Sequence, residues 1–219
     1  MPVEVAVFDV DGTVATCPYD YDGMRAAVAA AARTWGVEAD AVGMRGIVER
    51  MAEVERQLGG SGGQFREQAE GAVCALELKA AREAVLVPGI REAFRCLRGR
   101  GVAVALITRN CRAAAALVLR GLCEYDLVLT RDDVPRVKPD ADHVLRSLAP
   151  FGGRADRAVL VGDHVYDMEA GRAAGVRFCV GVKTGSSSEE RLRQAGADDV
   201  LDSAAGLPGW LLALRERDP

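Results

Sequence analysis

An apolar run that begins at Val3 ends among acids, in the stretch FDVDGTV, so that Asp9, Asp11, Gly12 and Thr13 follow one another at its carboxyl end. Similar sets recur downstream: Thr108, Arg109 and Asn110 after VALI, Lys138 in VKPD ahead of a helical stretch, and Asp163 and Asp167 behind AVLVG. In an open parallel sheet, ligands bind beyond the carboxyl ends of the strands, which makes these residues one candidate site. Two carboxylates 4 Å apart repel by roughly 4 kcal/mol at an effective dielectric of 20. Asp9, Asp11, Asp163 and Asp167 therefore need a cation if they share a crevice. Oxygen donors without a His or Cys set suit a hard ion that keeps several waters and accepts a phosphate oxygen, which favours Mg²⁺ over Ca²⁺ or Zn²⁺.

Three Asp-x-Asp pairs occur, and context separates them. Only Asp9/Asp11 follows a strand-like run and continues into Gly-Thr. Asp20/Asp22 and Asp140/Asp142 stand where helices should begin, and acids there complement the helix dipole. Lysine usage singles out another residue. Of 28 basic residues only Lys79, Lys138 and Lys183 are lysines. A compact ammonium approaches a carboxylate and a phosphoryl oxygen as a point charge, which suits Lys138 to the site, whereas Lys79 and Lys183 read as solvated.

The elements that must carry these groups alternate. Near-continuous apolar runs at 3–10, 101–108, 125–130, 157–163, 176–182 and 198–202 predict strands covered on both faces. Helical stretches lie between them. One opens at Pro88 and closes at Gly101, one begins at Pro139, and one carries a Ser187/Glu190 capping box and stops at Gly196. From Cys17 to Val87 no convincing strand occurs, and helices are predicted near 22–35, 39–58 and 64–84, with Gly59–Gly63 as a flexible joint. The fold expected is α/β: a Rossmann-like parallel sheet with helices on both faces, residues 1–16 and 88–219, plus a small all-α unit, residues 17–87, inserted after the first strand.

Composition bounds the partners. A net charge of -4, a pI near 5.4 and no basic run provide no footprint for nucleic acid or an anionic membrane, so small solutes are the expected partners. No window approaches the roughly 20 apolar residues of a membrane span, and no export signal opens the chain. The six cysteines lie apart without a Cys-x-x-Cys pair, so reduced thiols and a cytoplasmic location are expected.

The segments FDVDGTV, LITRN, VKPD and GDHVYDMEAGRAAG, in that order, resemble the four motifs of the haloacid-dehalogenase-like hydrolase superfamily, in its phosphoglycolate-phosphatase-like branch. The resemblance implies a Mg²⁺-dependent phosphatase with Asp9 as nucleophile and Asp11 as general acid/base. It implies Thr108 and Lys138 as phosphoryl stabilisers, and Asp163 as a metal ligand supported by Asp167. The metal set expected is then Asp9, Asp11, Asp163 and Asp167, and the phosphate set is Gly12, Thr108, Arg109, Asn110 and Lys138, with amides near Gly12 and Asn110 contributing. The insert resembles the small helical cap of this superfamily, which implies a small phosphorylated metabolite, phosphoglycolate-like or a sugar phosphate monoester. Tyr19, Tyr21, Arg25 and Arg45 are candidates for selecting it. Monomer and dimer stay open.

Two residues depart from the pattern: His164 stands where relatives often carry a small polar residue, and Val14 where leucine is common. His164 is expected in a supporting or solvated role. Three related chemistries are weighed against hydrolysis. A sugar phosphomutase would share all four motifs. A dehalogenase would lack the second acid, and a phosphonate-cleaving relative would need a lysine in the insert, where only Lys79 is available. A non-enzymatic aspartate phosphoacceptor also gathers acids, Thr and Lys around Mg²⁺, but it places its paired acids adjacent and has no helical insert.

Overall fold

The computed structural model describes residues 2–38 and 46–217. Its centre is a six-stranded sheet, parallel throughout, of β1 (Val5–Asp9), β4 (Ala103–Ile107), β5 (Leu127–Leu129), β6 (Ala158–Gly162), β7 (Phe178–Val182) and β8 (Asp199–Leu201). The strand order is β5-β4-β1-β6-β7-β8, so β1 is central and the order reverses beside it. All six strands coincide with predicted runs, each shorter than its run by two or three residues. The α/β class is as expected.

Each strand is apolar on both faces because both are covered. Along β1, Val5 and Val7 point into a cluster with Ala105, Ile107, Val144, Leu148, Leu160 and Met168. That cluster belongs to α6 (Ala141–Leu148) and α7 (Val165–Ala174) as well as to the sheet. The intervening Phe8 points to the other face, with its ring 4.8 Å from Phe94 of α4 (Ile90–Gly99). Burying a side chain of this kind contributes on the order of 1.5–3 kcal/mol, which is why a five-residue strand needs no polar alternation. The remaining helices of this unit are α5 (Arg112–Val118), α8 (Glu189–Gln194) and α9 (Leu207–Arg217). From α9, Trp210 meets Phe178 edge-on at 5.3 Å and donates its Nε1–H to Asp199 Oδ2 at 2.8 Å.

Contacts divide the chain into two compact units, Met1–Cys17 with Ala84–Pro219, and Pro18–Glu83. In the first, β2 (Ala15–Thr16) pairs antiparallel with β3 (Val85–Leu86), a two-residue ladder too short to leave a pattern in the sequence. The second consists of α1 (Tyr21–Thr34), α2 (Ile47–Leu58) and α3 (Gly62–Ala81) around Met24, Val28, Ala32, Met51, Val54, Phe65, Ala69 and Val73. Gly59–Gly63, expected as a flexible joint, is helical: residues 59–61 form a 3₁₀ turn and Gly62 and Gly63 open α3.

Helix starts bear out the reading of the two spare Asp-x-Asp pairs. Asp20 caps α1 by accepting from the Gly23 amide at 2.7 Å, and Asp140 caps α6 by accepting from the Asp142 amide at 2.8 Å. Pro139 lies ahead of α6 rather than in its first turn, in a cis peptide with Lys138. The cap of α8 is Ser188, not Ser187 as expected, because Ser187 is drawn inward with its amide on the Asp163 carbonyl. Cys96, Cys123 and Cys179 are thiols as expected, whereas Cys74 and Cys111 are not free thiols. Among the described residues, no helix is long and apolar enough to cross a membrane.

Candidate active site

The strand order brings the motifs together. Asp9 ends β1 at the point where β4 and β6 flank it on either side, so the turns after these three strands share one edge. The Lys138 ammonium, arriving ahead of α6, hydrogen-bonds Asp9 Oδ1 and lies 2.5 Å from Asp167 Oδ1. All three side chains are buried, Lys138 to 2% exposure. Burial opposes the charge on Lys138, but Asp167 and Asp9 more than offset it and hold the ammonium above its ordinary pKa. The lysine singled out by its rarity is thus the buried one; Lys79 is exposed, and Lys183 is an exposed partner of Glu189 and Asp202 at 3.3 and 3.2 Å.

Asp9, Asp163 and Asp167 are all buried and offer carboxylate oxygens that lie within 4.8 Å of one another. Burial, followed by the charge of Asp167, raises the Asp163 pKa. At Asp9 burial again dominates; Lys138 opposes it, while Asp167, Asp163 and Asp11 add to it, leaving the carboxyl well above its ordinary range. Three buried carboxylates therefore face a single ammonium, and the negative charge is under-compensated. A hard divalent cation fits that deficit and that all-oxygen donor set.

Asp11 stands apart from this group. Its Oδ2 accepts from Thr108 Oγ1 and from Asn110 Nδ2, each at 2.9 Å. These two bonds tie the turn after β4 to the turn after β1, and within the former the Thr108 hydroxyl accepts from the Asn110 amide at 3.1 Å. Gly12 permits that second turn: its φ is +87°, and a Cβ there would sit 2.7 Å from Asp163 Cγ. Its amide donates to the Ala15 carbonyl at 2.7 Å. The Gly12 and Asn110 amides, expected to face phosphoryl oxygens, are thus both engaged within the chain.

Asp167 owes its place to a capping box. His164 Nδ1 accepts from the Tyr166 amide at 3.1 Å, while Asp167 Oδ2 accepts from the His164 amide at 3.0 Å, closing the first turn of α7. His164 thus has the supporting role expected of it, and burial holds its pKa below the usual value. The Arg109 guanidinium lies over the Tyr166 ring at 4.9 Å, and Tyr166 meets the His164 ring edge-on at 4.6 Å, so a cation and two rings line the rim between the second and fourth motifs. Behind Lys138, buried His143 hydrogen-bonds the Leu129 carbonyl, and burial together with the Lys138 charge pulls its pKa down to about 4.

Residues Thr184–Ser186 escaped the sequence reading, and Ser187 entered it only as a helix cap. Ser186 donates both its amide, at 2.7 Å, and its hydroxyl, at 3.0 Å, to Asp163 Oδ2. Thr184 Oγ1 donates to the Gly12 carbonyl at 2.5 Å. The signal was present: KTGSSS follows the apolar run FCVGV as the other site residues follow theirs. Of the residues proposed to select substrate, Arg25 is paired with Asp22 at 2.6 Å, Tyr19 and Tyr21 have ring centroids 5.9 Å apart, and Arg45 lies outside the described residues.

The chain is similar to known proteins along most of its length. The family model for haloacid dehalogenase-like hydrolases matches residues 3–175. A phosphoglycolate phosphatase of Cupriavidus necator is 30% identical, covering 98% of this chain and 96% of that protein. The pyrophosphatase PpaX of Halalkalibacterium halodurans is 32% identical over 54% of this chain and 56% of its own. Among solved structures, a hydrolase from Pseudomonas syringae superposes with a TM-score of 0.71 at 23% identity, over 98% of this chain and 99% of that one.

Proposed function

Since this chain belongs to the haloacid dehalogenase-like hydrolases, in their phosphoglycolate-phosphatase-like branch, we propose that it is a Mg²⁺-dependent phosphatase of small phosphorylated metabolites, phosphoglycolate-like or sugar phosphate monoesters, acting through an aspartyl phosphate on Asp9. The observation that carries the proposal is the division of labour among the acids. Asp9 meets Lys138 beside Asp163 and Asp167, while Asp11 is held separately by Thr108 and Asn110.

In the first step an Asp9 carboxylate oxygen bonds to phosphorus as the bond to the substrate oxygen breaks, and Asp11 gives its proton to the departing alkoxide. In the second step Asp11 takes a proton from water, the hydroxide displaces Asp9 from phosphorus, and inorganic phosphate leaves. Thr108 orients Asp11 through the 2.9 Å hydrogen bond, and Lys138 offsets charge on the nucleophile and on the phosphoryl oxygens. Mg²⁺, held by Asp9, Asp163 and Asp167, would supply further charge stabilisation to the phosphoryl group. Arg109, at the rim, suits a second anionic group on the substrate, such as a carboxylate. The helical insert, residues 17–87, is assigned the part of a cap that favours small substrates.

A phosphate-release screen over small phosphoesters, with and without Mg²⁺, tests the proposal. We expect metal-dependent release that Asp9→Asn abolishes while the far-ultraviolet circular dichroism is unchanged. Full turnover by Asp9→Asn would refute the nucleophile, and isomerised product without phosphate release would point to a mutase.

A further inference from the structure

We propose that the loop after β7, Thr184–Ser187, positions the Asp163 carboxylate for the cation, an inference that rests on the metal-dependent reading above. Strand register explains how the loop reaches it. With Gly162 of β6 opposite Gly181 of β7, the chain leaving β7 rises beside Asp163. It then fastens that residue at three points: the Ser186 amide and hydroxyl on Oδ2, and the Ser187 amide on the Asp163 carbonyl at 3.2 Å.

A carboxylate has two oxygens with about two acceptor positions each. Ser186 fills both positions of Oδ2. Among the described residues Oδ1 takes a hydrogen bond only from the buried Thr13 hydroxyl, at a long 3.4 Å, so Oδ1 is the oxygen left for a metal. The loop also excludes bulk at the contact: a Cβ on Gly185 would collide with Asp163 Oδ2. Through Thr184 Oγ1 on the Gly12 carbonyl, the same segment braces the turn that follows Asp9 and Asp11. One loop therefore sets the relation between the acids of the first and fourth motifs. Ser186 is itself exposed, so its hydroxyl acts by orienting Asp163 rather than by filling the core. Partners that orient metal ligands typically govern affinity by 10–100-fold, and Ser186→Ala keeps the backbone donor, which places the expected effect near the lower bound.

The test is a titration of Mg²⁺ into the EDTA-stripped full-length protein, followed by isothermal titration calorimetry, with the melting temperature in EDTA measured in parallel. Ser186→Ala should weaken Mg²⁺ binding by about tenfold and leave the EDTA melting temperature unchanged. Ser186→Thr, which keeps the hydroxyl, should bind close to wild type, and Gly185→Ala should lose more than Ser186→Ala. Wild-type affinity in Ser186→Ala would overturn the inference while leaving the phosphatase reading intact. A matching loss of melting temperature in EDTA would overturn it too, in favour of a purely structural anchor. Absence of Mg²⁺ binding by the wild type would bring down the metal-dependent reading and this inference together.

Discussion

Replacing Lys138 by methionine removes the buried ammonium shared by Asp9 and Asp167 while nearly keeping the volume of the side chain. All three residues are at most 7% exposed, so the two acids lose their counter-charge without gaining water. Breaking a buried ion pair from one side costs about 3–5 kcal/mol. For a chain of this size each kcal/mol moves the melting temperature by about 2–4 °C, so the metal-free variant should melt about 6–20 °C below wild type. Two signatures separate this from a packing defect. Millimolar Mg²⁺ should raise the melting temperature of the variant more than that of the wild type, because the cation neutralises the same carboxylates. The gap should also narrow as pH falls. Burial already raises the Asp9 pKa, and loss of the opposing Lys138 charge raises it further, so the folded variant takes up a proton at Asp9 more readily than the unfolded chain does. Differential scanning fluorimetry across pH 5–8, run in EDTA and again in millimolar Mg²⁺, reads all of this. A variant as stable as wild type at neutral pH would refute the role of Lys138 as counter-charge.

Asp11→Asn should lower kcat by about 10²–10⁴-fold with little change in melting temperature, checked by phosphate release and calorimetry. Thr108→Val removes the hydrogen bond to Asp11 Oδ2, and should shift the pH profile of kcat/KM as well as lower its maximum; a profile of unchanged shape would refute the orienting role. Phe94→Ala, deleting the ring that packs 4.8 Å from Phe8, should cost about 3–5 kcal/mol in urea unfolding. At Glu124, burial would raise the carboxyl, but the Cys123 amide and then Arg91 and Arg95 draw it down to about 2. Its contribution to stability is present above the unfolded pKa of about 4.3 and disappears as pH falls toward 2, so Glu124→Gln should melt below wild type at pH 7 and converge with it at acid pH.

What could be read from the chain alone follows from locality. A strand buried on both faces must be apolar residue by residue, so VAVFD, AVALI and AVLVG announce themselves, and the polar residues behind them fall at the strand ends by necessity. Helix caps are equally local, which is why Asp20 and Asp140 could be told from Asp9 and Asp11. Errors arose where a distant partner overrode a local preference. Ser187 satisfies a capping pattern, yet its amide is taken by the Asp163 carbonyl and the cap moves to Ser188. Gly59–Gly63, a linker by composition, is held helical between α2 and α3.

The chain by itself thus determined which residues stand at the edge of the sheet, because that depends only on where apolar runs stop. Tertiary structure decided which donor each carboxylate takes: Lys138 for Asp9, Thr108 and Asn110 for Asp11, Ser186 for Asp163. Those partners lie 23 to 129 positions apart, and only the order β5-β4-β1-β6-β7-β8 brings them within a hydrogen bond. Strand order follows from burying every face of the sheet at once, and no window of neighbouring residues contains that condition.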